Sequence, residues 1–233
     1  MPRTDRHHDA RIRGRIRRQA GSIALALAPF GLVFGVACAQ AGLGIGEAVG
    51  FSSLVFTGSA QFAAVGVLDD GGSVLTAIGA GLLLNLRCLA FGVLLAPALT
   101  GSAGVRALLA QLVIDESTAV ATAQEGRRWQ RYGFLAGGLA VFGMWNLSTV
   151  AGVLLASSGD DFISDLGLDA AVPAAFLALL WPRLVGGDGS RARRIAGVGA
   201  LVTAVAIPLA PAGVPILLSG VGVLAARAGS GRP

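Results

Sequence analysis

Residues 72–99 read GSVLTAIGAGLLLNLRCLAFGVLLAPAL, and the fold class turns on this stretch. It is apolar for longer than the ~20 residues a helix needs to cross a ~30 Å hydrocarbon layer. Arg87 stands near its middle. A guanidinium at the centre of a spanning helix costs at least ~2.5–3.5 kcal/mol, so it implies a buried partner or a polar pathway. Asp115 and Glu116, the only acids in the middle of another apolar segment, are the candidate partners.

The rest of the chain has the same character. Hydrophobic residues make up 54% and charged residues 13% of it, and mean hydropathy is +0.72. Soluble domains carry ~25% charge, so these values imply an all-α, polytopic membrane bundle without a separate soluble domain. All 18 basic residues are Arg. The net charge of +5 does not point to nucleic acid, because the arginines cluster at the ends of apolar segments, where membrane topology explains them. Cys38 and Cys88 each lie inside an apolar segment. They offer neither a disulfide framework nor metal-ligand spacing and read as small packing residues. His7 and His8 sit in the basic N-terminal stretch.

Eight apolar segments are legible, at 20–41, 47–67, 72–99, 104–123, 132–156, 167–185, 194–210 and 212–226. They divide the chain into a basic tail over 1–19, a transmembrane transport domain over 20–226 and a short tail over 227–233. The first tail carries seven arginines and is expected to be disordered, cytoplasmic and close to anionic headgroups. It mimics a signal peptide, but the apolar run behind it is too long for one, so it reads as an uncleaved first helix. If all eight segments cross, the multi-arginine loops fall on the cytoplasmic side with both termini, and the four-Asp loop 157–170 falls outside. Arg106 is then the one basic residue left outside. The fourth segment is the weakest, holding Gln111, Asp115, Glu116, Ser117, Thr118 and Thr122; it is either a shielded helix or a re-entrant piece. Phe30-Gly31 and Phe142-Gly143 open two polar-containing helices and suggest an internal duplication of the kind many transporters carry.

Three constellations could carry chemistry. Arg87 and Asp115 are about equally far from a turn near Gly101, so antiparallel neighbours would place them at one depth. They read as a registry-fixing ion pair, a substrate or proton site, or both. Phe56-Thr57-Gly58-Ser59-Ala60-Gln61-Phe62 puts poor helix text and the side chains of Ser59 and Gln61 at mid-membrane. A broken helix there would free backbone groups to bind a small zwitterion; an intact helix would hydrogen-bond a neighbour instead. Trp145-Asn146 could wall a pocket or simply fill the core. The chain shows no Walker loop, Rossmann glycine pattern, HExxH or nucleophile–base set. No enzyme activity, cofactor or metal is expected, and ATP-driven transport by this chain alone is excluded.

FTGSAQF at 56–62, LNLRCLAFG at 84–92, Asp115-Glu116 and PAAFL at 173–177 resemble the AzlC family. The likeness extends from about Gly21 to Ala226 with the motifs in order. It implies the large subunit of a two-subunit secondary transporter that exports branched-chain amino acids (Val, Leu, Ile and, in some members, Met) across the cytoplasmic membrane. It also implies a small four-helix partner of the AzlD type. The chain departs from the family at Cys88, where His commonly follows the Arg, and at Thr57, where Ala is common. A His-based proton relay is therefore not implied. The expected substrate site comprises Gly58, Ser59, Gln61, Asn85, Arg87, Trp145 and Asn146, with Asp115 and Glu116 as ion-coupling groups. The alternatives are a passive channel-like facilitator and a non-transporting scaffold subunit.

Overall fold

The computed structural model describes residues 3–157, 171–186, 189–211 and 213–226. All regular structure among them is helical: α1 (Arg3–Gln40), α2 (Ile45–Leu54), α3 (Gly58–Asp69), α4 (Val74–Leu95), α5 (Ala103–Ala110), α6 (Asp115–Thr122), α7 (Arg127–Ala156), α8 (Ala171–Val185), α9 (Gly189–Ala206) and α10 (Val214–Ser219) with a 3₁₀ extension, Gly220–Ala226. Within α1, α4 and α7 lie stretches long and apolar enough to cross a bilayer. The acidic loop and the 227–233 tail read from the sequence fall outside the described residues, apart from Ser157.

The basic N-terminal stretch is not the disordered tail its charge suggests. It is helical from Arg3 and continues unbroken into the apolar part of α1. Ile16 is buried, Arg17 Nε donates to Tyr132 Oη at 2.7 Å, and Arg128 pairs with Asp9 at 2.7 Å. These contacts against the start of α7 give the helix partners that composition alone does not reveal. Further along, Gly31 lies against Trp145 and Ser148, and Gly35 against Thr149 and Gly152. Numbers rise together on both helices, so α1 and α7 run parallel. Side-chain-free glycines let their backbones touch.

The second segment breaks where its text is weakest for a helix. Thr57 is extended, at φ −156° and ψ 104°, and α3 restarts at Gly58. The break is a reversal. Going down α2, Ser53 Oγ donates to Asn146 Oδ1 at 2.9 Å and Phe56 stacks on Phe142 at 5.0 Å, so α2 descends along α7. α3 then climbs back beside it. Phe34 touches Phe51 of α2 and Phe62 of α3 alike, at 6.0 and 5.6 Å, and Phe51 also packs against the Ala63–Val67 face of α3.

α4 runs antiparallel to α7. Its last turn, with Ala98, shares a cavity with Ala121 and Thr122 at the end of α6 and Gln130 at the start of α7. The fourth segment reverses as well. Along α7, Gly138 meets Leu112, Gly137 meets Ser117, and Gly133 meets Val120 and Gln124, so α6 descends towards the face that α5 left. α6 is thus parallel to α4 rather than antiparallel.

The eight expected segments are present, but the second and fourth are re-entrant hairpins that enter from opposite faces. The unit of one helix followed by one hairpin occurs twice in opposite directions, as α1 with α2/α3 and as α4 with α5/α6. This pairing differs from the one suggested by Phe30-Gly31 and Phe142-Gly143, whose helices run parallel. Two reversals also remove the topological misfit: Arg106 now lies on the face that holds Arg127, Arg128 and Arg131, and Asp69-Asp70 lies on the other. α8 meets the start of α9 where Arg193 Nη1 donates to Leu184 O at 2.7 Å, and α9 packs closely on α10 and its 3₁₀ extension, with Gly199 against Ser219 and Gly222 against Ile195 and Gly199. α10 lies along α4, with Leu217 near Gly79 and Leu83 near Gly220, and carries the chain back towards the basic face.

Candidate functional site

Lipid cannot satisfy the open backbone groups of a broken helix, so protein groups must. The last carbonyls of α2 are capped by two glutamines. Gln61 Nε2 donates to Ser52 O at 3.1 Å, and Gln111 Nε2 donates to Ser53 O and Leu54 O, both at 2.8 Å. Gln111 belongs to the tip of the other hairpin, so the two tips are bonded to each other. That tip is held by Ser117, whose Oγ donates to Leu112 O at 2.6 Å and accepts from Ile114 N at 3.1 Å. At the other side of the first break, no side chain caps α3. Its first backbone N–H to find a helical partner is that of Gln61, bonded to Thr57 O, so the N–H groups of Gly58, Ser59 and Ala60 have none.

A cavity of about 240 Å³ lies where the tips meet. Thr57, Gly58 and Ser59 line it from the first hairpin, Asp115 and Glu116 from the second, and Arg87 from α4. Leu27, Phe30, Phe56, Phe62, Ile114, Val141 and Trp145 form its apolar wall. Arg183, exposed near the basic end of α8, completes the rim. On the other side, Phe34, Phe62 and Trp145 close the cavity as an aromatic layer, with Phe34 and Phe62 at 6.1 and 6.4 Å from the indole. Pro29 lies in α1 between Leu27 and Phe30. It removes one helical hydrogen bond beside the cavity wall.

Arg87 Nε donates to Asp115 Oδ2 at 2.8 Å, and Nη1 donates to Leu84 O at 3.1 Å. The paired side chains keep about a third of their surface open, 32% and 35%, facing the cavity. The two groups do lie at one depth. The reason is that α5 takes up the return path, so that α6 starts beside the middle of α4. Glu116 is in the cavity too; one step of helix rotation does not carry it away.

Gly58 sits against the indole. A Cβ at this position would come 3.0 Å from Trp145 Cη2. Ser59 Oγ and Trp145 Nε1 are buried polar atoms without a hydrogen-bond partner among the described residues.

Of the residues singled out in the sequence, Gly58, Ser59, Arg87, Trp145, Asp115 and Glu116 converge. Three do not line the cavity. Gln61 is fully buried and caps α2. Asn146 is spent on Ser53 Oγ and on Phe142 O, the latter at 2.9 Å. Asn85 faces away, into an apolar groove lined by Leu43, Glu47 and Phe51. Missed were Gln111, whose role depends on a neighbouring tip, and Arg183, whose charge is equally well explained by topology. Phe56 and Phe62 were visible as the ends of FTGSAQF. Among the described residues no group of three His, Cys, Asp or Glu is placed to hold a metal.

Apolar spanning helices with opposed hairpins that meet at a polar cavity define an all-α integral membrane bundle. The family model described as AzlC protein matches residues 22–158, and the chain belongs to the AzlC family. The match runs from the middle of α1 to the end of α7, hence over both hairpins and every cavity residue except Arg183. Comparison with curated proteins and comparison with solved structures each gave no match. The family is associated with branched-chain amino acid transport.

Proposed function

We propose that the chain is the large subunit of an exporter of branched-chain amino acids, with the cavity between the hairpin tips as its substrate site. The cavity itself carries this reading. It joins uncapped N–H groups, an ion pair and a second carboxylate, Glu116, to a wall of Phe, Leu, Ile, Val and Trp. Those are the groups a zwitterion with an aliphatic side chain needs. Helix N-termini favour a carboxylate, and discontinuous helices supply such ends at the bilayer midplane. The apolar wall takes the branched side chain, and a volume of about 240 Å³ suits one small amino acid. Arg87 and Asp115 fix the tip of the second hairpin and set the local charge.

The rim lies on the arginine-rich face, which the positive-inside rule assigns to the cytoplasm of the cell membrane. The cavity is then open for loading from inside, as export requires. The small AzlD-type partner remains part of this reading through the family resemblance. The outward face of α4, with Leu75, Leu82, Leu86, Leu89 and Val93 exposed, leaves room for further helices.

Efflux from proteoliposomes loaded with a panel of amino acids, with and without the small subunit, tests the proposal. Leucine, isoleucine and valine should leave faster than alanine, glutamate and lysine. Equal rates for all, or none for any with both subunits present, would remove it.

A further inference from the structure

The Arg87–Asp115 pair leaves one carboxylate in the cavity uncommitted. Glu116 lies in the first turn of α6, lines the cavity and makes no ion pair among the described residues. The charged and titratable groups around it are Arg87 and Cys88 on α4, Asp115 on its own helix and Arg183 on α8. From α1, α3 and α7 it meets only apolar and neutral polar groups. Arg87 and Asp115 cancel, so an ionised Glu116 adds a negative charge at depth that, among the described residues, only the exposed Arg183 at the rim is placed to offset.

A lone ionised carboxylate at this depth is costly, and the cost falls when a cation sits on it. Two cations are at hand in an amino acid exporter: the proton and the ammonium group of the substrate. Only one can occupy the carboxylate. Gly58 and Ser59, whose N–H groups have no helical partner, line the same cavity from α3. A zwitterion can therefore bridge the two hairpin tips, with its carboxylate on α3 and its ammonium on Glu116.

We propose that Glu116 is a shared cation-binding group, taken in turn by a proton and by the substrate's ammonium, so that the chain exchanges one proton for each amino acid. As the ammonium arrives, the O–H bond on Glu116 breaks and the proton leaves to water on the basic face. After the amino acid departs on the opposite face, a proton from that side reprotonates the carboxylate. The proposal rests on the reading of the cavity as an amino acid site, and it separates Glu116 from Asp115, which stays bound to Arg87 throughout.

The test is leucine binding to the chain together with its small subunit in nanodiscs across a range of pH, with proton release recorded by an indicator dye in weak buffer. Because the ligands exclude each other, leucine affinity should fall about tenfold per pH unit on the acid side of the midpoint. Proton release should approach one per leucine there. 3-Methylbutylamine, which keeps the ammonium, should release the proton; 4-methylpentanoate, which lacks it, should not. Glu116→Gln should remove both the release and the pH dependence, and Glu116→Asp should keep both with a displaced midpoint. Leucine binding without proton release, or release that survives Glu116→Gln, overturns the proposal while leaving the amino acid site standing. Release by 4-methylpentanoate overturns it as well. Failure of leucine to bind at any pH overturns the amino acid reading together with this one.

Discussion

Arg87 and Asp115 satisfy each other, and each is stranded without the other. Removing one partner of a buried pair costs about 3–5 kcal/mol; the third of each side chain that stays open places this pair near the lower figure. Arg87→Ala and Asp115→Ala should each lower the yield of folded protein. The double variant should fold better than either single one, as fluorescence-detected size exclusion can show. Additive losses would mean the two groups act independently. Glu116→Ala should not rescue Arg87→Ala, since Glu116 makes no ion pair with it. At Gly58 the neighbour is the indole of Trp145, so Gly58→Leu should push the ring into the cavity and abolish transport in cells that still make the protein. Normal efflux from that variant would place the site elsewhere. Gln61 is the opposite case. Its amide caps α2, and Gln61→Ala should act on folding, by about 1–3 kcal/mol, before it acts on substrate affinity. Its chemistry was legible in the sequence, but its target was not, because which carbonyls lack a partner depends on how the chain reverses.

The two short-helix hairpins show how far local text reaches. Residues 56–62 leave a broken and an intact helix open, and segment 104–123 a shielded helix and a re-entrant piece; the chain breaks in both, between Leu54 and Gly58 and between Ala110 and Asp115. Direction is a different matter: a kinked crossing and a re-entrant turn have the same composition. What decides is the partner surface on α7, where Asn146 and Thr149 take the descending α2 and Gly133, Gly137 and Gly138 receive α6. Gln111 joins the two hairpins through two carbonyls of α2. Gln111→Ala should leave both carbonyls short of a donor and cost about 1–3 kcal/mol. In hydrogen exchange, amides of residues 52–60 should then lose protection while those of α1 and α7 keep theirs. Unchanged exchange at 52–60 would show that the tips are held by packing alone.

At the scale of the whole molecule, two reversals replace two crossings, so α1 starts on the face towards which α10 returns. Counting arginines over eight crossings leaves Arg106 alone on the far side; the reversals bring it to the face of Arg127, Arg128 and Arg131. Labelling can separate the two topologies. In intact cells an impermeant thiol reagent should reach Asp70→Cys and not Arg106→Cys in a background freed of Cys38 and Cys88. The pattern for eight full crossings is the reverse. The class of fold was legible because a bilayer allows so few solutions for a chain with 13% charge. The path of the chain was hidden because residues far apart in number, such as Gly35 and Gly152, determine it together.

The dependence of the first hairpin on α7 has a consequence for how the protein is made. α2 and α3 leave the ribosome well before Trp145, Asn146 and Thr149 have been synthesised. Until then Ser52 has no Thr149 and Ser53 no Asn146 to meet, although Gln61 and Gln111, which cap the carbonyls of α2, are already in the chain. Nascent chains halted before α7 therefore carry unpartnered polar side chains of α2 into lipid, a state that insertion machinery must hold or membrane proteases will clear. Synthesis of α7 is thus the point of commitment. Messages truncated upstream of it should leave no stable remnant in the membrane, whereas those that reach Ala156 can already close both hairpins around the cavity.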